Sequence, residues 1–535
     1  MDVAVGGAPA FWADAARTSK QDLANVEKLT LPLALLVLFV VFGSVTAGLM
    51  PLVTGAAGVA AGLLLVRLVS HITDIQLFTV NLAVLVGLGA GIDYALLAVT
   101  RTRDELRAGS DLATAIRGAG ERAGHAICVS VGAVLLALAG LLTLGISVVT
   151  GLGLATMGVV ACVAAAAGTL LPAILALSGD RLARPHAAWL ERLPHPQVVA
   201  PVLARVERRP LVAAGAAVIL LGVLALPLAG LKLSHPGVDV LPPGTGSREA
   251  ARLAGQALGP GAGTPILVAV DRGVRVSSLT RRAAQLPRVV AVSRLRGPRH
   301  TLVEIRLAAS PDGPLTAQTL SRLRSMVPRT ALLGGAGAES KVELDQFRRR
   351  LPIALGLIVV LTMLIFFAAF HSAIISIKAG LVNLLSVAAT LGASTWAFQG
   401  GHLAFLGLQS TPNGVIDYVP LFVFSMVYGL SMDYEVFLLT RIQEERARGI
   451  DARLAVIKGT KATSGVITGA AAVLISVALP FTFTDLVFTQ VLGFALLFGI
   501  LLDATIVRLI LVPSVLLMLG ERAWSRPGRR VAVPV

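Results

Sequence analysis

The stretch SMDYEVFLLTRIQEERARGID, residues 431–451, sets two carboxylates, Asp433 and Glu435, inside a run that is otherwise apolar enough to span a membrane. An Asp at the centre of a spanning helix costs about 2.5–3.5 kcal/mol on insertion scales, so an intramembrane acid points to function. The pattern occurs a second time. GIDYALLAVTRTRDELRAGSD, residues 91–111, aligns with it without a gap, matching Asp93 to Asp433, Tyr94 to Tyr434, Arg101 to Arg441, Glu105 to Glu445 and Gly109 to Gly449. Past a one-residue slip, Gly118 answers Gly459, Gly124 answers Gly465, Gly158 answers Gly499 and Pro172 answers Pro513. Upstream, LPLAL (31–35) answers LPIAL (351–355), and the glycine pair 6–7 answers the pair 334–335. Both copies enter the membrane in the same direction, as parallel repeats about an axis along the membrane normal.

Composition agrees with a membrane protein. Of 535 residues, 55% are hydrophobic and 14% charged, with a mean hydropathy of +0.81, whereas soluble domains are about 25% charged. Apolar segments of spanning length, about 20 residues, fall near 30–48, 50–70, 77–99, 123–143, 147–178, 210–230, 351–370, 373–397, 417–440, 464–484 and 488–518. Arginines follow the third, fifth and ninth of these, which places those loops in the cytoplasm by the positive-inside rule. The net charge of +16 is scattered through loops and not gathered on one face, so nucleic acid is excluded as a partner. Cys128 and Cys162 lie in apolar runs and read as small core residues, not as a disulfide or a metal site. Residues 1–28 lack the order of a secretory signal.

Between the sixth and seventh spans, the order strand (265–270), helix (277–286), strand (289–293), strand (301–307), helix (315–326), strand (330–333) suggests a ferredoxin-like split βαβ unit on the outer side. HPGVDVLPPGTGS before it reads as a connecting arm. The expected fold class is therefore a membrane all-α bundle of about eleven transmembrane helices in two parallel pseudo-repeats, with one α+β ferredoxin-like extracytoplasmic domain. The second copy opens with a span and an outer domain. The first opens within what corresponds to the last strand of such a domain, at VAVGGAPAF, and so lacks one span and one outer domain.

Asp93 and Asp433 each precede by eight residues the Arg that marks the cytoplasmic end of their helix, which sets them roughly 12 Å deep, near the middle of the hydrocarbon core. Such an acid can serve as a polar tie between helices; two equivalent acids at matched depth suit a proton site better. A Tyr hydroxyl can hydrogen-bond either form of a carboxyl group, so facing repeats would let Asp93 meet Tyr434 and Asp433 meet Tyr94. Glu435, about 200° round the helix from Asp433, has Ala95 as its counterpart and reads as a structural or interfacial partner. Asp503 and Arg508 stand where the first copy has Cys162 and Ala167; Arg508 either neutralises an acid or snorkels, and at five residues from Asp503 it is poorly placed to pair along one helix face. Ser130 is a weaker candidate, because serine in a spanning helix commonly bonds its own backbone. Gly87, Gly89, Gly91, Gly429 and Ser431 allow close helix approach beside the acids. His125, His371 and His402 are dispersed and read as interface residues; no nucleotide loop, zinc motif or nucleophile elbow is present, so no enzyme, cofactor or metal is expected.

GLGAGIDYALLAVTRTRDELRAG, GLSMDYEVFLLTRIQEERARG and GILLDATIVRLILVPSVLLMLG together resemble the MMPL (mycobacterial membrane protein large) family of the resistance-nodulation-division superfamily, over essentially the whole chain. The resemblance implies proton-motive-force-driven export of lipids or other hydrophobic compounds across the bacterial plasma membrane, through twelve spans and two outer porter domains. Carried over residue by residue, it assigns the proton relay to Asp93, Tyr94, Asp433 and Tyr434, with Asp503, Arg508, Glu435 and Ser130 as auxiliary intramembrane positions. Residues 1–29 would end a first porter domain, 30–178 form five helices of the first repeat, 179–209 link the halves in the cytoplasm, 210–230 open the second repeat, 231–350 form the porter domain, 351–518 supply the remaining five helices, and 519–535 form a cytoplasmic tail. The chain thus looks N-terminally truncated against the family, with completion by a homo-oligomer or an upstream-encoded half left open. The expected partners are a hydrophobic or lipid substrate, protons and membrane lipids. A non-transporting scaffold or lipid-binding protein is the alternative.

Overall fold

The computed structural model describes residues 4–71, 78–179, 199–234, 237–259, 261, 263–272, 276–309 and 313–524. Its first repeat comprises α1 (Ala8–Phe42), α2 (Val45–Val69), α3 (Phe78–Arg107), α4 (Leu112–Ala139, prolonged by a 3-10 turn, Gly140–Leu144) and α5 (Ser147–Ser178). A short amphipathic helix, α6 (Val199–Arg208), precedes α7 (Pro210–Ala225) and the strand β1 (Leu233–Ser234). The α+β domain contains α8 (Gly246–Leu258), β2 (Ile266–Asp271), α9 (Val276–Ala284), β3 (Val289–Arg296), β4 (His300–Leu307), α10 (Pro314–Met326) and β5 (Leu332–Gly334). The second repeat continues with α11 (Ala336–Phe370), α12 (Ala373–Ser394), β6 (Val415–Ile416), α13 (Val419–Ala447), α14 (Ala452–Phe481), α15 (Val487–Leu502), a π-helical segment (Asp503–Leu511) and α16 (Val512–Leu519). Among the described residues, eleven helices are long and apolar enough to cross a membrane.

The two copies follow the same local rules, cap by cap. Gly7 and Gly335 turn the chain at φ +97° and +84°, and each is followed by a 35-residue helix, α1 and α11. Both helices end on a left-handed residue, Gly43 or His371, and the next residue, Ser44 or Ser372, caps the following helix by accepting from Ala47 N or Ile375 N. These signals move the first break to Gly43–Ser44, whereas hydropathy alone ran the first span to residue 48. Residues 4–6 form no strand, while the equivalent β5 pairs with β2.

The α+β domain is a four-stranded antiparallel sheet in the order β3-β4-β2-β5. Every second residue of β2 and β4, Ile266, Val268, Val270, Val303, Ile305 and Leu307, enters a core closed by Leu279, Ala283 and Leu323 of α9 and α10. This is the ferredoxin-like order expected from the sequence. Sequence reading missed α8, which follows the Pro/Gly-rich arm, and α6, whose Leu203 and Val206 are buried against the bundle.

Helices α3 and α13, which carry the repeated Asp-Tyr pair, lie at the centre. In the most apolar window of α3, as of α13, 89% is buried, against 17% for α7, whose surface faces lipid. Glycines set the spacing around α3: a Cβ at Gly58 of α2 would stand 2.6 Å from Val163 Cα, and one at Gly91 would stand 2.8 Å from Gly55 Cα. Gly58→Val is therefore expected to lower the melting temperature in detergent, by about 1–3 kcal/mol of overpacking. Gly168→Val, where no atom lies within 4 Å, serves as the control, and equal shifts in both variants would remove the close-approach argument.

Candidate functional site

Asp93 and Tyr94 of α3 and Asp433 and Tyr434 of α13 line one cavity of about 30 Å³, together with Ser130 of α4 and Ile467 of α14. That is room for about two water molecules. The crossing of the repeats creates it: α4 packs on α13, and α14 packs on α3, so the helix after each Asp-Tyr helix closes over the opposite Asp-Tyr helix. The small residues before the acids permit this. A Cβ at Gly429 would lie 3.3 Å from Val134 Cα, and one at Gly89 would lie 3.0 Å from Leu474 Cδ2.

Tyr434 neighbours Asp93, and Ser130 neighbours both Asp433 and Tyr94, within this cavity. None of these contacts closes. Both Asp433 carboxylate oxygens, the hydroxyls of Tyr94 and Tyr434, and Ser130 Oγ are buried without a partner in bonding geometry. A buried carboxyl group in that position is held at least cost as the neutral acid, or with water bridging it to the hydroxyls. The arrangement can therefore take up a proton or a water without first breaking a bond. Ser130 does not bond its own backbone, contrary to the expectation from its place in an apolar helix, because α4 turns it into the cavity.

A second polar cluster lies in the second repeat alone. Lys378 of α12 pairs with Glu435, buried to 5% and 0% side-chain exposure, and Asn383 Nδ2 donates to Glu435 Oε2 at 3.2 Å. Ser431 Oγ lies 2.6 Å from Asp503 Oδ1 and 2.8 Å from Asn383 Oδ1, and its single proton serves one of them. Arg508 Nε donates to Asp503 Oδ2 at 3.0 Å, and its Nη2 donates to Ser431 Oγ at 3.2 Å. The pairing of Asp503 with Arg508 corrects the sequence argument. Five residues do not match an α-helical face, but both belong to the π-helical segment, whose i→i+5 periodicity brings such residues into line.

Lys378 and Asn383 were missed by sequence reading, although a lone Lys in an apolar run is itself an intramembrane charge of the kind that signals function. Counting from the capping serines, Ser44 and Ser372, their places in the first repeat are taken by Met50 and Gly55. Gly91, Ala95, Cys162 and Ala167 stand opposite Ser431, Glu435, Asp503 and Arg508. Where the second repeat has this charged network, the first has the direct Gly55–Gly91 backbone approach.

Among the remaining candidates, His371 is the left-handed cap of α11 and His402 stacks on Trp396 at 4.7 Å; the side chain of His125 lies outside the described residues. Cys128 is exposed on the bundle and Cys162 half-buried, both free. The core placement expected for them fails because a lipid-facing surface is as apolar as a core.

The sequence profile of the MMPL family matches residues 1–213 and 298–533. The probable trehalose monomycolate exporter MmpL3 of Mycobacterium leprae is 32% identical over 95% of the chain. The mycolic acid-containing lipids exporter MmpL11 of Mycolicibacterium smegmatis is 31% identical over 97%. The chain spans 58% and 57% of the length of these two relatives, and 74% of a putative membrane protein of Streptomyces coelicolor, SCO6666, to which it is 31% identical over 98% of its own length. Among solved structures, SecDF from Thermus superposes with a TM-score of 0.56 at 19% identity, over 93% of this chain and 62% of that one, which reports on the fold alone. With the profile reaching across both repeats and such relatives matching nearly the whole chain, this multi-pass plasma-membrane protein belongs to the MMPL family.

Proposed function

We propose that the protein exports a lipid or another hydrophobic compound across the bacterial plasma membrane, driven by protons that pass through Asp93, Tyr94, Asp433 and Tyr434. The observation that carries this reading is the single cavity into which both repeats turn an acid and a tyrosine, with the acceptors and hydroxyls facing one another unbonded. A proton taken up on one Asp removes its charge and alters its attraction to the tyrosine opposite, so α3 and α13 repack. Ser130 lines the same cavity beside Asp433 and Tyr94. Arg508 and Asp503, fixed to each other and to Ser431, hold α13 against α15 while this happens. The names of the M. leprae and M. smegmatis relatives support a lipid as the cargo class. In this reading residues 231–350 are an extracytoplasmic porter domain, and the arginine-rich ends of α3 and α13 face the cytoplasm.

The test is export of a long-chain acyl lipid from proteoliposomes under an imposed proton gradient. Export is expected to follow the gradient and to stop on addition of a protonophore. Export that continues after the gradient is collapsed would overturn the proton-driven reading.

A further inference from the structure

The two long helices that descend from the α+β domain end of the bundle each grip the opposite repeat. On α1, Asp22 is 3% exposed; its two oxygens accept from Asp485 N and Leu486 N, each at 2.9 Å, where the turn after α14 opens α15. On α11, Gln346 Nε2 donates to Leu144 O at 2.9 Å and to Gly145 O at 3.1 Å, and Arg350 Nη1 donates to Leu144 O at 2.8 Å, where α4 ends. A Cβ at Gly145 would lie 2.2 Å from Arg350 Nη1. The chemistry differs in sign as the helix ends demand. A carboxylate meets the free N–H groups that begin a helix, and a guanidinium and an amide meet the free carbonyls that end one.

The two grips are pseudo-symmetric. In the register of the caps, where Gly7 answers Gly335 and Ser44 answers Ser372, Arg350 stands at the place of Asp22 and Gln346 at that of Thr18. Above Asp22, Asp14 Oδ2 on the same helix accepts from Ser247 N at 3.0 Å and from Ser247 Oγ at 2.6 Å, at the start of α8. A Cβ on Gly6 would lie 2.7 Å from Ala250 Cβ. Two carboxylates on α1 thus fasten α8 to α15, and α11 carries β5 directly to the end of α4. Helix α4 bears Ser130, and the helix continuing α15 bears Asp503, both beside the central acids.

We propose that Asp22, with Gln346 and Arg350, are positioning residues that join the α+β domain to the helices flanking the acid cavity, so that α1, α8 and the α14–α15 turn open together. In the export reading, on which this word alone rests, they are the coupling residues between proton site and porter domain.

Hydrogen–deuterium exchange on the full chain in nanodiscs tests it. Asp22→Ala is expected to raise exchange at Asp485, Leu486 and the first turn of α15 by about tenfold, as loss of a helix cap does, and to raise it also along residues 8–20 and in α8. Asp22→Asn, which keeps one accepting oxygen, gives a smaller rise and covers the case in which the alanine variant does not fold. Asp14→Ala, which touches neither turn, is expected to raise exchange at Asp485 and Leu486 as well. A rise confined to residues beside each substitution overturns the joint movement. Exchange is read without substrate or gradient, so a failed export assay leaves this result standing, and purely local exchange overturns the coupling even where export is intact.

Discussion

Asp433→Asn is expected to reduce gradient-driven export to background while leaving the amount of folded protein in the membrane unchanged. The substitution keeps the shape of the side chain and removes its capacity to gain and lose a proton. Neither oxygen of Asp433 holds a hydrogen bond in the structure, so the amide breaks no existing contact, and being neutral it suits a buried site. Asp93→Asn is expected to do the same. Because the two acids share one cavity, the double variant should be no worse than either single one, as for residues that act as a unit. Export measured against membrane abundance decides the matter. Retained export in Asp433→Asn would sink the relay, and lost abundance with it would favour the scaffold reading.

Lys378→Met is expected to destabilise the protein by about 3–5 kcal/mol, because it leaves a charge at Glu435 buried with only Asn383 to bond it. Adding Glu435→Leu should recover most of that loss, since a buried ion pair as a whole is worth little against apolar packing. Unfolding of the two variants in detergent, followed as a double-mutant cycle, supplies the comparison. A double variant as unstable as the single one would show that Lys378 matters through its packing and not through its charge.

The acids of the relay were legible because an Asp in an apolar run is a strong signal, and its recurrence with Tyr in both repeats made it stronger. Lys378 carries a signal of the same kind, but it has Met50 as its counterpart and sits in a run long enough to be read simply as a span. The Asp503–Arg508 pair was misjudged because spacing rules assume an α-helical period, and nothing in DATIVRLIL announces a π turn. Helix α8 hid behind the prolines and glycines of the arm before it. The ferredoxin-like domain was readable to within a few residues, since its strands alternate buried and open positions in β2 and β4. Its grip on the bundle was not, because Asp14, Asp22 and Arg350 look like ordinary polar residues at the mouth of a span until their partners are placed.

The Gly55–Gly91 joint and the charged network opposite it bear on how the halves could be exchanged. A chimera of two second repeats would replace the Gly55–Gly91 backbone approach with a second charged network of Lys378, Asn383, Ser431, Glu435, Asp503 and Arg508. A chimera of two first repeats would seal that joint but leave the centre of the bundle without its lysine and arginine. The duplicated halves have become a left and a right hand, similar in outline and not interchangeable.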